Sequence, residues 1–297
     1  MSIASAIATK QQQVADAYTA VSAKGGTLPA AQNLNNLATA IGTISGGGGG
    51  GETVIIPRDI DNGVLKMPTA SSYTLPSSVT SVEKGVFYYA FSECSGLNTV
   101  DMSSLTSATG NSFNYAFYRC RNLTSVNFSS LTTISDYNTF NNAFNNCSAL
   151  SNIDFSSLTT ISGNSTFTYA FTTCSALSTI NFPALTTITG PSVFQNAFGS
   201  SGLTSVSFPV LSTLTGDGVF RNCFRSCSSL TSISFPALTS TSFGSNTNQF
   251  SNMLLSSSNV TVHFPSNLQS VIGSWSDVTG GFGGKNTTVL FDLPATA

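Results

Sequence analysis

The sequence predicts a mainly β solenoid of stacked coils with capped ends, preceded by a small N-terminal α-helical segment. Three observations carry this. Leu97, Leu123, Leu150, Leu177, Leu203 and Leu230 recur at spacings of 26, 27, 27, 26 and 27 residues. Such a period marks a unit that cannot bury its own apolar face and must stack on a copy of itself. Each Leu is followed three residues on by Val100, Val126, Ile153, Ile180, Val206 or Ile233, then by Met102 or by Phe128, Phe155, Phe182, Phe208 or Phe235. That alternation is the period of a strand with one face buried. Only 7% of the 297 residues are charged, against about 25% in a typical soluble domain. Ser, Thr, Asn and Gly do the solvating, as suits a β surface where such residues pair with their equivalents on the next coil.

Residues 1–45 form a separate segment. Ile3, Ile7, Val14, Tyr18 and Val21 lie on one helical face, and Gly25-Gly26 stops the helix. Pro29 can start a second helix, with Leu34, Leu37, Ile41 and Ile44 on its apolar face. Ile7, Val14 and Val21 fit one heptad position and Ile3 and Ala17 the other, which Lys10 and Lys24 interrupt. The segment reads either as an intramolecular helical hairpin or as a short oligomerising or docking helix. The six glycines of residues 46–51 form a flexible tether.

The repeat solenoid is expected over residues 52–264. "TVIIP", "GVLKMP" and "SYTLPSSVTSVEKGVFYYAF" read as irregular first coils, and regular coils run from about Ala90 to Phe250. In each, "LTSVNF" is a strand, and Pro183, Pro209 and Pro236 force a corner after it. "LTTI" is a second short strand, and "NTFNNAFNNC" is a turn or short helix leading to the next coil. Residues 265–297 read as a C-terminal cap: a short helix, a glycine-rich loop and a last strand, Thr288 to Asp292, with Trp275 and Phe282 sealing the end.

Cys94, Cys120, Cys147, Cys174 and Cys227 occupy one slot, and Cys223 replaces the Ala of "AF". Residues that recur coil by coil and can be dropped, as in "AFGSSGL", read as small packing groups. "MSIASAIATKQQQ" has neither a basic n-region nor a long apolar h-region, so synthesis in a cytoplasm and reduced thiols are expected. Disulfide rungs between neighbouring coils are the alternative.

A net charge of −2 argues against nucleic acid, which needs a basic stripe. No apolar run approaches the roughly 20 residues of a spanning helix, so no membrane insertion is expected. No metal, cofactor or enzymatic activity is expected either. His263 stands alone in "VTVHF", and no phosphate loop, nucleophile elbow or metal-spaced cluster appears. Asp101 and Asp154 share a column with Asn127 and Asn181, which reads as a solvated ladder; a bound cation there is the alternative.

The variable positions are two outward columns. One precedes each "AF": Tyr88-Tyr89, Asn114-Tyr115, Asn141-Asn142, Thr168-Tyr169, Gln195-Asn196 and Arg221-Asn222. The other follows it: Ser92-Glu93, Tyr118-Arg119, Asn145-Asn146, Thr172-Thr173 and Arg225-Ser226. Tyr, Asn and Arg on a rigid frame suit sugar binding by ring stacking and hydrogen bonding. The candidate ligand-binding residues are therefore Tyr88, Tyr89, Tyr115, Tyr118, Arg119, Tyr169, Arg221 and Arg225. The competing reading makes some of these rings core members of the turn. Paired threonines such as Thr159-Thr160 raise ice binding as a third idea.

The recurring "F-x-x-AF-x-x-C-x-x-L-T-x-I-x-F-P" resembles the BspA-like class of leucine-rich repeat over roughly residues 75–265. The unit is longer than that class's usual one by a few residues. The resemblance implies a surface protein that binds host or microbial partners. "AIATKQQQVADAYTAVSAKGGTLPAAQNLNNLATAIGTI" resembles a short helical module of phage tail and fibre proteins. Together the two resemblances imply a phage virion adhesin, made in the host cytoplasm and joined to other virion proteins through residues 1–45. It would be a homo-oligomer presenting a face to a host cell-surface glycan or protein. A bacterial cell-surface adhesin for host protein is the alternative, and a carbohydrate-active enzyme a remote one.

Overall fold

The computed structural model describes residues 71–243 and 248–295. They form a parallel β solenoid of about eight coils of roughly 27 residues. The N-terminal helical segment, the glycine tether and the expected first coils "TVIIP" and "GVLKMP" lie outside the described residues.

Two strand ladders run up the stack. The first begins with β1 (Ser72–Thr74), β3 (Thr99–Asp101), β5 (Ser125–Asn127) and β7 (Asn152–Asp154). It resumes with β10 (Ser205–Ser207), β12 (Ser232–Ser234), β13 (Thr261–Pro265) and β14 (Thr288–Leu293). In the coil between, one bridge from Asn181 to Ser207 replaces a strand. The second ladder holds β2 (Ser81–Val82), β4 (Ser107–Ala108), β6 (Thr133–Ile134), β8 (Thr160–Ile161), β9 (Thr187–Ile188) and β11 (Thr213–Leu214). Every pairing is parallel, because each coil runs over its predecessor in the same direction, and like residues meet: Val100, Val126 and Ile153 are in register.

The corner after each first-ladder strand is made in two ways. Where Ser stands two residues on, the preceding carboxylate or amide accepts its N–H: Ser103 to Asp101 at 2.9 Å, Ser129 to Asn127 at 2.9 Å, Ser156 to Asp154 at 2.7 Å. These are Asx turns. After Ser207 and Ser234 the second residue is Pro209 or Pro236, which has no N–H and fixes its own φ. The Asp/Asn column is thus engaged in turn-making.

The third side is neither helix nor strand but a run of consecutive tight turns. Its N–H groups alternate between two acceptors. Ala90 donates to Phe87 O (3.0 Å) and Cys94 to Phe91 O (3.0 Å) within the coil, while Phe87 donates to Ser112 O (2.8 Å) and Phe91 to Ala116 O (2.8 Å) on the next coil. This geometry needs a left-handed residue at every fourth position. Gly85, Tyr89 and Glu93 have φ of 71°, 56° and 62°, and Asn138, Asn142 and Asn146 have 53°, 54° and 63°.

The interior consists of three phenylalanine columns. Phe87, Phe113, Phe140, Phe167, Phe194, Phe220 and Phe250 stack at 4.9–5.8 Å between ring centroids. Phe91, Phe117, Phe144, Phe171, Phe198 and Phe224 stack at 5.2–5.4 Å. The strand column, from Phe128 to Phe291, crosses the first edge-on, as at Phe113–Phe128 (5.2 Å, 81°). Offset and T-shaped contacts are the arrangements that ring quadrupoles favour.

All six cysteines carry thiols rather than disulfides, and all are buried. Their role is more specific than filling space. Cys120, Cys147, Cys174 and Cys227 donate S–H to the carbonyls of Phe91, Phe117, Phe144 and Phe198, at 2.8–3.1 Å. Ser257, in the same slot of a later coil, donates its hydroxyl to Phe224 O at 2.6 Å.

At the C-terminal end two 3-10 turns (Ser266–Leu268 and Gly281–Gly283) flank α1 (Gln269–Ile272) and α2 (Ser276–Thr279). Phe282 is buried and lies 5.8 Å from Phe250, and Trp275 lies 5.1 Å from Phe243. The last strand, β14, continues the first ladder, so the cap is interleaved with the final coil.

Candidate binding surface on the turn arm

Four columns, two either side of each buried Ala-Phe pair, line the turn arm, and most of their side chains face outward. Ser92, Thr168 and Asn196, expected outside, are buried, with the Thr168 hydroxyl donating to Ser192 O at 2.9 Å. The inward residues alternate with them because the turn run has a period of four. Among the described residues the outward positions near the N-terminal end are the aromatic ones.

Tyr88, Tyr89, Tyr115, Tyr118 and Arg119 come together in one patch on two adjacent coils. Tyr89 and Tyr115 stack face to face, with centroids 4.6 Å apart and planes 4° apart. Tyr88 meets Tyr89 edge-on at 4.6 Å, and Tyr118 meets Tyr115 at 5.4 Å and 67°. The Arg119 guanidinium lies 4.9 Å over the Tyr118 ring and pairs with Glu93 at 3.3 Å. That pair is half-exposed, so it adds little stability and mainly fixes where the guanidinium sits. None of these rings joins the phenylalanine core, but Tyr89 and Tyr115 already spend a face on each other.

Partial burial pushes the Tyr89 phenol up to about 12, helped by the neighbouring Tyr88 and Tyr115 hydroxyls. Tyr115 is raised for the same first reason, with Tyr118, Tyr88 and Tyr169 contributing. The phenols are therefore neutral near pH 7 and can both donate and accept hydrogen bonds.

Tyr169 stands in the Tyr89–Tyr115 column two coils beyond Tyr115, with 41% of its surface exposed. Arg221 and Arg225 are exposed but lie four coils from Tyr115 and outside the patch. Arg221 faces the C-terminal unit, where its charge lowers the Asp277 carboxyl against a larger rise from desolvation.

Sequence reasoning missed three features of this surface. Glu93 orders Arg119. The amides of the "NNAFNN" coil form a chain: Asn141 donates to Asn138 (3.3 Å), Asn142 to Asn141 (2.5 Å), Asn145 to Asn142 (2.9 Å) and Asn146 to Asn145 (2.6 Å). Lys84 lies 4.9 Å from the Tyr137 ring. Gly110 donates its N–H to the Asp136 carboxylate at 2.9 Å, and a Cβ there would lie 2.8 Å from that carboxylate. Glu93 sits one coil from Arg119 and Lys84 two coils from Tyr137, whereas the amides bond within their own coil, one or three residues apart; those spacings were the available signal.

His263 donates its Nδ1–H to the two carboxylate oxygens of Asp292, at 2.9 and 3.0 Å, across β13 and β14. It holds the last strand. Among the described residues no group of three or more potential metal ligands converges, and no helix is long and apolar enough to cross a membrane.

Stacked parallel ladders with leucine, phenylalanine and cysteine slots define a leucine-rich-repeat-type β solenoid. The chain belongs to the BspA type leucine-rich repeat family, whose pattern matches in six copies over residues 58–197 and 167–275. Among solved structures it is similar to a leucine-rich repeat protein from Bacteroides ovatus, with 18% identity and a TM-score of 0.30. That match covers 74% of this chain, and the chain spans 61% of that protein. No curated protein matches.

Proposed function

We propose that the protein is a non-catalytic adhesin of a phage particle, whose turn arm binds a host-surface glycan. The observation that carries the binding part is a conflict between residue type and backbone. Tyr89, Tyr115, Arg119 and Tyr169 occupy left-handed positions with φ of 56°, 56°, 58° and 56°. In the column of the three tyrosines other coils hold Asn142, Asn196 and Asn222, and in the column of Arg119 the next coil holds Asn146; asparagine takes that conformation at lower cost. Local rules are broken where a surface serves something other than the fold. Tyr, Arg and amides on a rigid frame are the side chains that bind sugars with little loss of conformational entropy.

The virion location rests on the likeness of residues 1–45 to phage tail and fibre modules. The hexaglycine tether suits many copies on one particle, each finding its own site, so that weak contacts add through effective concentration. The test has two arms. Mass spectrometry of purified virions is expected to find the protein; finding it only on bacterial cell walls favours the cell-surface adhesin. Changing Tyr115, Tyr118, Arg119 and Tyr169 to Ala is expected to abolish host-cell binding with the fold intact. Unchanged binding moves the site off the arm.

A further inference from the structure

The tyrosine column of the arm is interrupted at one coil. It runs Tyr89, Tyr115, Asn142, Tyr169, and the first two rings stack at 4.6 Å. One coil step along the stack is 4.9–5.8 Å, as the ring-to-ring distances of the first phenylalanine column show. Tyr115 and Tyr169 are therefore about 10 Å apart along the axis, and a flat ring midway would sit about 5 Å from each, within the stacking range. Asn142 is too short to fill that space with a ring. Tyr115 senses the Tyr169 phenol electrostatically, so the two side chains lie near each other across the amide coil.

The floor of this slot is polar. Asn142 donates to Asn141 and accepts from Asn145. Each of these amides keeps a second N–H and a second lone pair. An edge that both donates and accepts matches hydroxyl groups better than a hydrocarbon ring. The one guanidinium beside it, Arg119, is paired with Glu93 at 3.3 Å, which leaves the slot without a free charge.

We infer that the slot between Tyr115 and Tyr169, over Asn142, takes a single neutral pyranose ring with its hydroxyls equatorial. Two aromatic walls demand C–H on both faces of the ring, which the all-equatorial, gluco configuration provides. The same configuration turns every hydroxyl to the rim, toward the amide floor. An axial hydroxyl points into one tyrosine face and loses its hydrogen bonds. This inference rests on the glycan-binding reading above and names the sugar class for that site.

The test uses the full chain, with methyl β-glucoside and cellotetraose as gluco probes and methyl β-galactoside as the axial epimer. Saturation-transfer NMR and calorimetry are expected to show the gluco probes binding at least about tenfold more tightly than the epimer, the scale of one buried unpaired hydroxyl. Asn142→Tyr would fill the slot with the protein's own ring. Its backbone angle of 54° is one that Tyr115 and Tyr169 already adopt, so the variant is expected to fold. It should lose gluco binding about tenfold or more, while the fold survives with a melting temperature lowered only by the cost of a tyrosine at that φ. Tyr169→Ala, which removes one wall, is expected to weaken binding to a similar degree. Equal affinity for the two epimers, or full binding by Asn142→Tyr, overturns the slot. If no probe binds while the four-site variant still loses host-cell binding, the sugar assignment fails but the arm remains the binding surface. In that case an aromatic side chain of a host protein is the occupant to examine. If the four-site variant also keeps host-cell binding, the arm reading itself fails.

Discussion

The inside and the outside of this stack follow different rules. Inside, the coil of Phe140 and Phe144 and the coil of Phe220 and Phe224 are interchangeable: same rings, same columns, centroid spacings within 4.9–5.8 Å. Outside, the equivalent positions hold Asn141-Asn142 in one and Arg221-Asn222 in the other. The difference shows what fixes the backbone. A ring in a phenylalanine column has a neighbour above and below, so its identity is imposed twice. An outward side chain meets solvent on one side and is constrained only by its own φ. Function can vary along the arm at no cost to the core, the only cost being that of the residue's own φ.

The buried thiols allow the largest test of that division. Burial pushes Cys120 and Cys174 up to about 12, and Cys147 and Cys223 also rise well above their usual value of 9.0. In the unfolded chain the thiols ionise near pH 9. Above that the unfolded state binds fewer protons than the folded one, so stability falls as pH rises. The stabilisation is complete below pH 9 and lost as pH climbs toward 12. We expect cooperative alkaline unfolding in that window, followed by circular dichroism. Replacing Cys120, Cys147 and Cys174 by Ser, the residue already at Ser257, should move the midpoint upward. At pH 7, six thiols should react with an alkylating reagent after denaturation without reductant, and none rapidly before it. An unshifted midpoint in the serine variant would assign the alkaline transition to tyrosines and lysines instead.

Truncation of a core ring comes next. Phe144→Ala or Phe171→Ala should cost about 3–5 kcal/mol, the loss expected for a fully buried ring. Tyr115→Ala on the outside should cost under about 1 kcal/mol, as ordinary surface changes do. Chemical denaturation of the three variants measures both. Similar losses inside and outside would erase the comparison.

Much of this architecture was legible in the sequence because repetition amplifies weak signals. One "LTSVNF" is ambiguous between strand and loop, but six copies at fixed spacing are not. The cysteine slot was visible for the same reason. The turn run was less legible. "NTFNNAFNNC" carries apolar residues four apart, as a helix can, and its true period comes from left-handed residues at every fourth position, which Tyr115 or Arg119 do not advertise. The patch itself was half-visible. The outward tyrosines were identifiable from their columns, but the mutual stacking of Tyr89 and Tyr115 depends on rings one coil apart turning toward each other. Arg221 and Arg225 shared those columns without sharing the site, because position along the stack separates them from the tyrosines.

A smaller effect separates the two kinds of corner. Asp154→Ala removes the acceptor for the Ser156 N–H, bound at 2.7 Å. The expected cost is about 1 kcal/mol, the usual worth of one such bond. Adding Ser156→Pro, which reproduces the device already present at Pro209 and Pro236, should recover most of it by removing the orphaned N–H and presetting φ. Thermal unfolding of the single and double variants reads this directly. No recovery would mean the aspartate holds more than the corner.

The smallest effect, and the most pointed, is a gain. Thr173 has φ of 62° on the exposed side of its coil, a conformation that β-branched residues rarely tolerate. The corresponding position two coils earlier is Arg119, and one coil earlier it is Asn146, the residue type that adopts this geometry most readily after glycine. Thr173→Asn should therefore stabilise the fold by about 0.5–1 kcal/mol, within the range of strain relieved at a single left-handed site. Tyr169→Asn should give a similar gain at φ of 56° but lose the ring that walls the slot. Measured together, the two substitutions separate the cost of the backbone from the use of the side chain. A gain at both, with binding lost only at Tyr169, identifies that tyrosine as a residue kept against the preference of its own backbone. No gain at either would mean that the turn ladder imposes this φ without strain, and the conflict between residue type and backbone would no longer support the binding surface.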